Sequence, residues 1–479
     1  MSTSTDPMIA AIVEEVLTRL KPRLAGHMPA RSVGAGGDGV YSTVDDAVKA
    51  AHAAQKQLEA RSLVDRGEII DIVRSLCLEH SEELGKMEYA ESQLGRLDHK
   101  IDKIKMVQKV LGVEALRTEA RSDATGLFLI EYAPFGVIAM VLPSTHGVPT
   151  MCSNAISVLA GGNVPVFSSH PLTSKSVAFA VRMFNREIEK RMGLRNMLCA
   201  VESPTIDSVN ELFRHRDVAL ICVTGGGAVV HAAMQSGKRV VAAGPGNPPV
   251  LVDETADLKH AAESIIAGAS FDNNLLCISE KEVFVVAKVA DEFIAAMKRA
   301  GAAQLNSMQV EKLTQAVFDF EPPKDGGRRR ARVKHEFVGK DPAVLAGAIG
   351  MSLPAGTPLL FGETDEDHAF VQTEQMMPFV PVVRVSCLDD GIRAAVKAEH
   401  GFRHTALIHS RNAENATKMA RAMHTTIFVQ NAPCYACLGN GGPGFLSYSV
   451  ATPTGEGVTT PLTFTRQRSI TIAGAMRII

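Results

Sequence analysis

Continuous apolar runs recur along the chain at 135–142, 164–167, 218–223 and 283–286, and a further strand candidate, interrupted by Arg384, lies at 380–385. Runs of this length without polar alternation read as strands buried on both faces. Helical patterns separate them, as at 148–159 and 228–235. Strand and helix in alternation predict a parallel sheet covered on both sides, an α/β fold. Before these runs, from 41 to about 111, the sequence is alanine-rich and helical. Two extended segments, 127–132 and 463–472, alternate only loosely and lie far apart in the chain. They either pair as an arm that reaches a neighbouring subunit or form an ordinary edge hairpin.

The first 21 residues predict a short amphipathic helix. Asp6 can cap it, Pro7 can occupy its first turn, and Ile9, Ile12, Val13, Val16, Leu17 and Leu20 form one apolar stripe. Residues 22–40 are rich in Gly, Ala and Pro and read as a linker. A tethered helix with an open stripe either docks in a partner's groove or folds back on its own domain. The remainder divides into a first α/β unit at 41–247, a second at 248–435 and a C-terminal return at 436–479, with 121–133 and the final strand forming the arm.

Composition narrows the function classes. At 479 residues the chain exceeds one ordinary domain, and 46% apolar with 21% charged residues describes a globular enzyme. A net charge of −2 provides no electrostatic footprint for nucleic acid. No apolar run is long enough for a membrane span. Glu14 and Glu15 interrupt the N-terminal apolar stretch, so no secretory signal is expected. Eight cysteines without framework spacing point to a reducing compartment, the cytoplasm.

Several motifs compete for chemistry. Gly34, Gly36 and Gly39 match the spacing of a dinucleotide fingerprint, but no strand precedes them, so they belong to the linker. Thr224-Gly225-Gly226-Gly227 directly follows an apolar strand and opens a helix. Bare amides at a helix start favour an anion, and the turn is the better phosphate site; a plain strand-to-helix turn is the alternative. Cys434 and Cys437 have redox spacing but lack a second pair for zinc, and the pair reads as incidental. His400 and His404 share a helical spacing with His409 nearby, yet no glutamate completes a zinc motif, and no metal is expected. The basic run 328–332 either meets nucleotide phosphates or is a solvated loop.

Cys277 lies in Ser270-Phe271-Asp272-Asn273-Asn274-Leu275-Leu276-Cys277-Ile278-Ser279-Glu280-Lys281, just before an apolar strand. A lone cysteine is either a buried small hydrophobe or a nucleophile, and as a nucleophile it must be deprotonated by the fold or a bound cofactor. This block, with Ala133-Pro134-Phe135-Gly136-Val137-Ile138, Gly162-Asn163, Glu374-Gln375-Met376-Met377-Pro378 and Pro453-Thr454-Gly455-Glu456-Gly457-Val458, resembles the coenzyme A-acylating aldehyde dehydrogenases of bacterial microcompartments, the propionaldehyde and acetaldehyde dehydrogenase type. The resemblance runs from about Tyr41 to the C-terminus.

It implies a Rossmann-type NAD domain, an α/β catalytic domain and a small β oligomerisation arm, assembled as a homodimer or homotetramer. It implies Cys277 as nucleophile toward a short-chain aldehyde, with coenzyme A releasing the acyl group, and Asn274 and His146 beside it. NAD would contact Pro143, Ser168, Thr224, Gly225, Gly226 and Glu374, the last at the nicotinamide ribose. The N-terminal helix is similar to peptides that dock such enzymes on a microcompartment shell protein. Hydrolytic members carry a glutamate base where this chain has Ala243, so water has no base to activate it. Two departures stand out. Thr145-His146-Gly147 replaces the usual Thr-Asn-Pro, and Ser168-Ser169-His170 lacks the lysine of hydrolytic relatives. The alternatives are a hydrolytic dehydrogenase that yields free acid and a non-catalytic shell scaffold.

Overall fold

The computed structural model describes residues 37–321 and 330–476. The N-terminal helix at 1–21, most of the linker and the first residues of the basic run at 328–332 lie outside them. Two parallel sheets carry the described chain. The first has six strands in the order Val40–Tyr41, Cys199–Val201, Val164–Ser168, Val137–Val141, Val218–Thr224 and Arg239–Ala243, and every neighbouring pair is parallel. Its central strands are buried at nearly every position, as continuous apolar runs require. The run at 135–142 forms a strand only over Val137–Val141. Gly136 turns at φ +125°, and the Phe135 and Gly136 amides donate to Asn163 Oδ1 at 2.6 and 2.9 Å instead of joining the ladder.

The chain reverses direction in this sheet between Val137–Val141 and Val218–Thr224. Two strands that leave in opposite directions open a crevice at their carboxyl ends, where doubly wound sheets take their ligands. Pro143 and Gly225 follow those two ends.

The alanine-rich stretch forms four helices: Val44–Glu59, Leu63–Glu79, Ser81–Ser92 and Leu97–Lys105. Ser62 opens the second with a reciprocal bond to Asp65, which satisfies two amides a helix start leaves free. Gly147–Ala160 is buried along its whole length because small and apolar residues cover every side of it.

The second sheet has seven strands in the order Ala303–Leu305, Leu360–Glu363, Phe379–Val385, Glu282–Val286, Pro249–Val252, Thr405–His409 and Ile427–Gln430, again all parallel. A separate three-stranded sheet joins Glu119–Asp123, Gly126–Pro134 and Thr465–Ala473. The two segments read as extended pair with each other, antiparallel, with Leu129 opposite Ile470. Among the described residues no helix is long and apolar enough to cross a membrane, and no cluster of three or more His, Cys, Asp or Glu could hold a metal ion.

Candidate active site

Cys277 follows a turn bent by three consecutive left-handed residues. The helix Leu258–Ser270 ends, and Asp272, Asn273 and Asn274 take φ of 50°, 53° and 66°. Side-chain-bearing residues in this region each cost about 1 kcal/mol or more, and Asp and Asn carry that cost best. All three are buried, and each is fastened to different parts of the fold. Asp272 accepts from the Arg96 amide at 2.8 Å and pairs with Lys103, with Lys100 at 3.6 Å. Asn273 donates to Gly339 O at 3.0 Å and Asp341 Oδ1 at 2.8 Å. Asn274 donates to Ala269 O at 3.0 Å and Glu280 O at 2.9 Å.

Asn274 was expected beside the reacting carbonyl. Both of its amide hydrogens are spent inside the turn, so it braces the loop and has none to offer an oxyanion. Lys281 closes the same turn from the other side. Its buried ammonium donates to the Asn274 side-chain oxygen, to Asn274 O at 2.8 Å and to Leu276 O at 3.2 Å.

Cys277 keeps part of its surface exposed, unlike most of the cysteines, and all eight thiols are free. Burial pushes its thiol up to about 12; the Glu374 carboxylate adds to this and Lys281 opposes it. Burial also raises Glu374, against the pull of Lys281 and the Gly246 amide. Gly246 packs between the nucleophile and a histidine. A side chain there would lie 2.6 Å from Cys277 O and 2.9 Å from His404 Cγ.

His404 is the residue that sequence reasoning missed. The spacing from His400 implied a shared helix, but His400 lies in a left-handed turn and His404 immediately precedes the strand Thr405–His409. His404 is buried. Its amide donates to Glu399 at 2.8 Å, Nδ1 meets Thr405 Oγ1 at 2.9 Å, and Nε2 has no partner. Burial, helped by Lys281, lowers it to about 4, so the ring is neutral at ordinary pH. No motif spacing marks it; only burial of an unpaired ring nitrogen does.

The redox-spaced pair also proves close to the nucleophile loop. Cys434–Leu438 is a short helical turn, and the Cys434 amide donates to Glu280 Oε1 at 2.9 Å. Burial pushes the Glu280 carboxyl up to about 7, and it packs where a side chain at Gly268 would fall 2.1 Å from its oxygen.

His146 directly precedes Gly147–Ala160 without a side-chain capping bond; its Nδ1 meets Thr145 Oγ1 at 2.8 Å and its ring lies 5.6 Å from that of Tyr448. Burial first, then the charges of Lys103 and Lys100, hold it well below its usual value, so it too is neutral. Beneath it, Glu88, Lys100, Lys103 and Asp272 form a fully buried charge cluster. Glu88 accepts from Lys100 at 3.1 Å and from the Val148 amide at 3.0 Å.

At the sheet crevice, the strand Val218–Thr224 ends and Gly226 opens the helix Gly227–Met234. Side chains at Gly226 or Gly227 would meet nothing within 4 Å, so the backbone there is open to close approach. Thr224 Oγ1 is 2.8 Å from Ser449 Oγ. Ser168, at the end of its strand, is buried with an unpartnered hydroxyl. A glycine-opened helix start and an orphaned hydroxyl two strands along the same sheet edge suit a dinucleotide. Pro143, partly exposed, completes that edge. Ala243 ends its strand and accepts from the Gly225 amide at 3.2 Å, and Ala242 is tied to Thr454 at 2.9 Å. Ala243 thus places a methyl group at that strand end.

Two parallel sheets, an antiparallel arm, a cysteine on a strained turn and a glycine turn at the sheet crevice define a dehydrogenase of the thiol-nucleophile class. The chain belongs to the aldehyde dehydrogenase family, matching it over residues 31–440. It is 42% identical to the acetylating acetaldehyde dehydrogenase EutE of Salmonella typhimurium, across 98% of this chain and 99% of that protein. It is 40% identical to the CoA-propanoylating propanal dehydrogenase of Citrobacter freundii, across 92% and 94%. Among solved structures, Rhodopseudomonas palustris propionaldehyde dehydrogenase with bound CoA and an acylated cysteine aligns with TM-score 0.87 at 39% identity, covering 91% of this chain and 99% of that one. The propionaldehyde dehydrogenase of the Clostridium phytofermentans fucose utilisation microcompartment aligns at 0.88 and 41%, covering 92% and 100%.

Proposed function

We propose that this enzyme oxidises a short-chain aldehyde to acyl-CoA, with NAD as oxidant and a covalent acyl group on Cys277. The Cys277 sulfur attacks the aldehyde carbon to give a thiohemiacetal. Thr224, Gly225, Gly226, Ser168, Pro143 and Glu374 would hold NAD, which when bound would accept the hydride. The Cys277 amide is one donor to the developing oxyanion and His146 a candidate for the second. Oxidation leaves a thioester, and the coenzyme A thiolate displaces Cys277 from the acyl carbon, regenerating the Cys277 thiolate. The neutral His404 ring, with its free nitrogen, is available to accept the coenzyme A proton. Ala243 carries this reading: it offers no carboxylate to activate water, whereas the coenzyme A thiol needs only to lose its proton, which His404 can accept.

The partners follow the same reading. The three-stranded sheet joins copies into a homodimer or homotetramer, and residues 1–21 dock on a microcompartment shell protein within the cytoplasm. Fusing residues 1–25 to a reporter tests the docking; a reporter that stays free of purified shells removes it. The reaction is tested by NADH formation from propionaldehyde with and without coenzyme A. Turnover should require coenzyme A and produce propionyl-CoA, while equal rates without it and free propionate would overturn the proposal.

A further inference from the structure

Lys281 is fully buried with no carboxylate within 4 Å among the described residues, and burial lowers its pKa from the usual lysine value against the upward pull of Glu374. Burying a cation without an ion-pair partner is costly, and its three bonds all go to neutral oxygens. Two of those oxygens belong to Asn274, the last of the left-handed residues. The third is the carbonyl of Leu276, the peptide oxygen directly before Cys277. The charge therefore sits on the turn that carries the nucleophile.

We propose that Lys281 is the positioning cation of Cys277: its ammonium fixes the turn through Asn274 and Leu276 and supplies the fixed positive charge that favours the reactive thiolate. This rests on Cys277 being the nucleophile of the proposed reaction. The sequence around Cys277 offers no arginine or histidine, and a thiolate needs a nearby cation or an equivalent field.

The other groups around the pair act with or against Lys281. Glu374 faces both Cys277 and Lys281, and its carboxylate opposes thiolate formation. Cys434 and Glu282 face Lys281, Lys281 in turn reaches His404, and Cys437 faces Cys277. Lys281 is the cation in that set, so its removal has no substitute.

The test is the pH dependence of Cys277 alkylation by iodoacetamide, read by peptide mass spectrometry without aldehyde, NAD or coenzyme A. The readout is thus indifferent to whether the acyl group later goes to coenzyme A or to water. Lys281→Met and Lys281→Gln should each move the midpoint up by about one pH unit or more, slowing alkylation about tenfold below it. Lys281→Arg should stay near wild type, and Glu374→Gln should move the midpoint down. Lys281→Gln keeps two donors for the turn and isolates the charge. A folded Lys281→Gln variant with an unchanged midpoint overturns the proposal. So does loss of folding in both neutral variants with Lys281→Arg intact, which would leave the ammonium a structural brace only.

Discussion

Asp272→Asn removes one charge and little volume from the buried cluster beneath the nucleophile turn. In the native protein Lys103 and Lys100 both lie against this carboxylate, and all are excluded from water. Burial pushes the Asp272 carboxyl up, but the two lysines and the Arg96 amide outweigh it and hold the group at about 2. Against its ordinary value of 3.8, that shift is worth roughly 2 kcal/mol, offset in part because burial lowers its partner Lys103 to about 8. A lowered acid stabilises the fold above its unfolded pKa, so this contribution is complete above pH 3.8 and is lost as pH falls through about 2. The substitution costs more than the titration, about 3–5 kcal/mol, because it leaves two ammonium groups facing Glu88 alone. Thermal unfolding at pH 7.5, followed by circular dichroism, should shift downward by about 3–5 °C for a chain of this length. Turnover below the transition should fall as well, because the turn before Cys277 loses one of its three fastenings. Pairing Asp272→Asn with Lys103→Met should recover part of the loss. A single variant melting within about 1 °C of wild type would refute the claim that this cluster holds the turn.

Two further substitutions probe the site. Gly246→Ala puts a methyl group 2.6 Å from a backbone oxygen of Cys277, which cannot swing aside; we expect a loss of about 1–3 kcal/mol in denaturant titration and a lower kcat, and unchanged values of both would mean the packing there is slack. Ala243→Glu restores a carboxylate at the end of its strand, and NADH formation without coenzyme A should rise at least about tenfold, the low end of what a positioned base contributes; no rise would show that more than the missing base directs the acyl group.

Much of this fold was legible because buried strands leave uninterrupted apolar runs, and helices between them leave a period. Val137–Val141, Val218–Thr224 and Glu282–Val286 were visible for that reason. Their ends were not, since the Asn163 bonds to the Phe135 and Gly136 amides join residues far apart in the chain. At the site, Cys277 and the glycine turn stand out in local context, a cysteine before a strand and a run of glycines after one. Neighbourhood in sequence does not say where the Asn274 amide points; it points back to Ala269 O and Glu280 O. His404, Lys281 and the Lys103 pair with Asp272 carry no local signature. Each is defined by burial or by a partner across the fold, and only the assembled structure brings them to the nucleophile.

The most direct measurement is the mass of the intact protein after one turnover with NAD and propionaldehyde, coenzyme A withheld. A stable propionyl adduct on Cys277, accompanied by about one NADH per subunit and discharged by added coenzyme A, is the predicted result. An unmodified Cys277 with NADH and propionate accumulating steadily would contradict it.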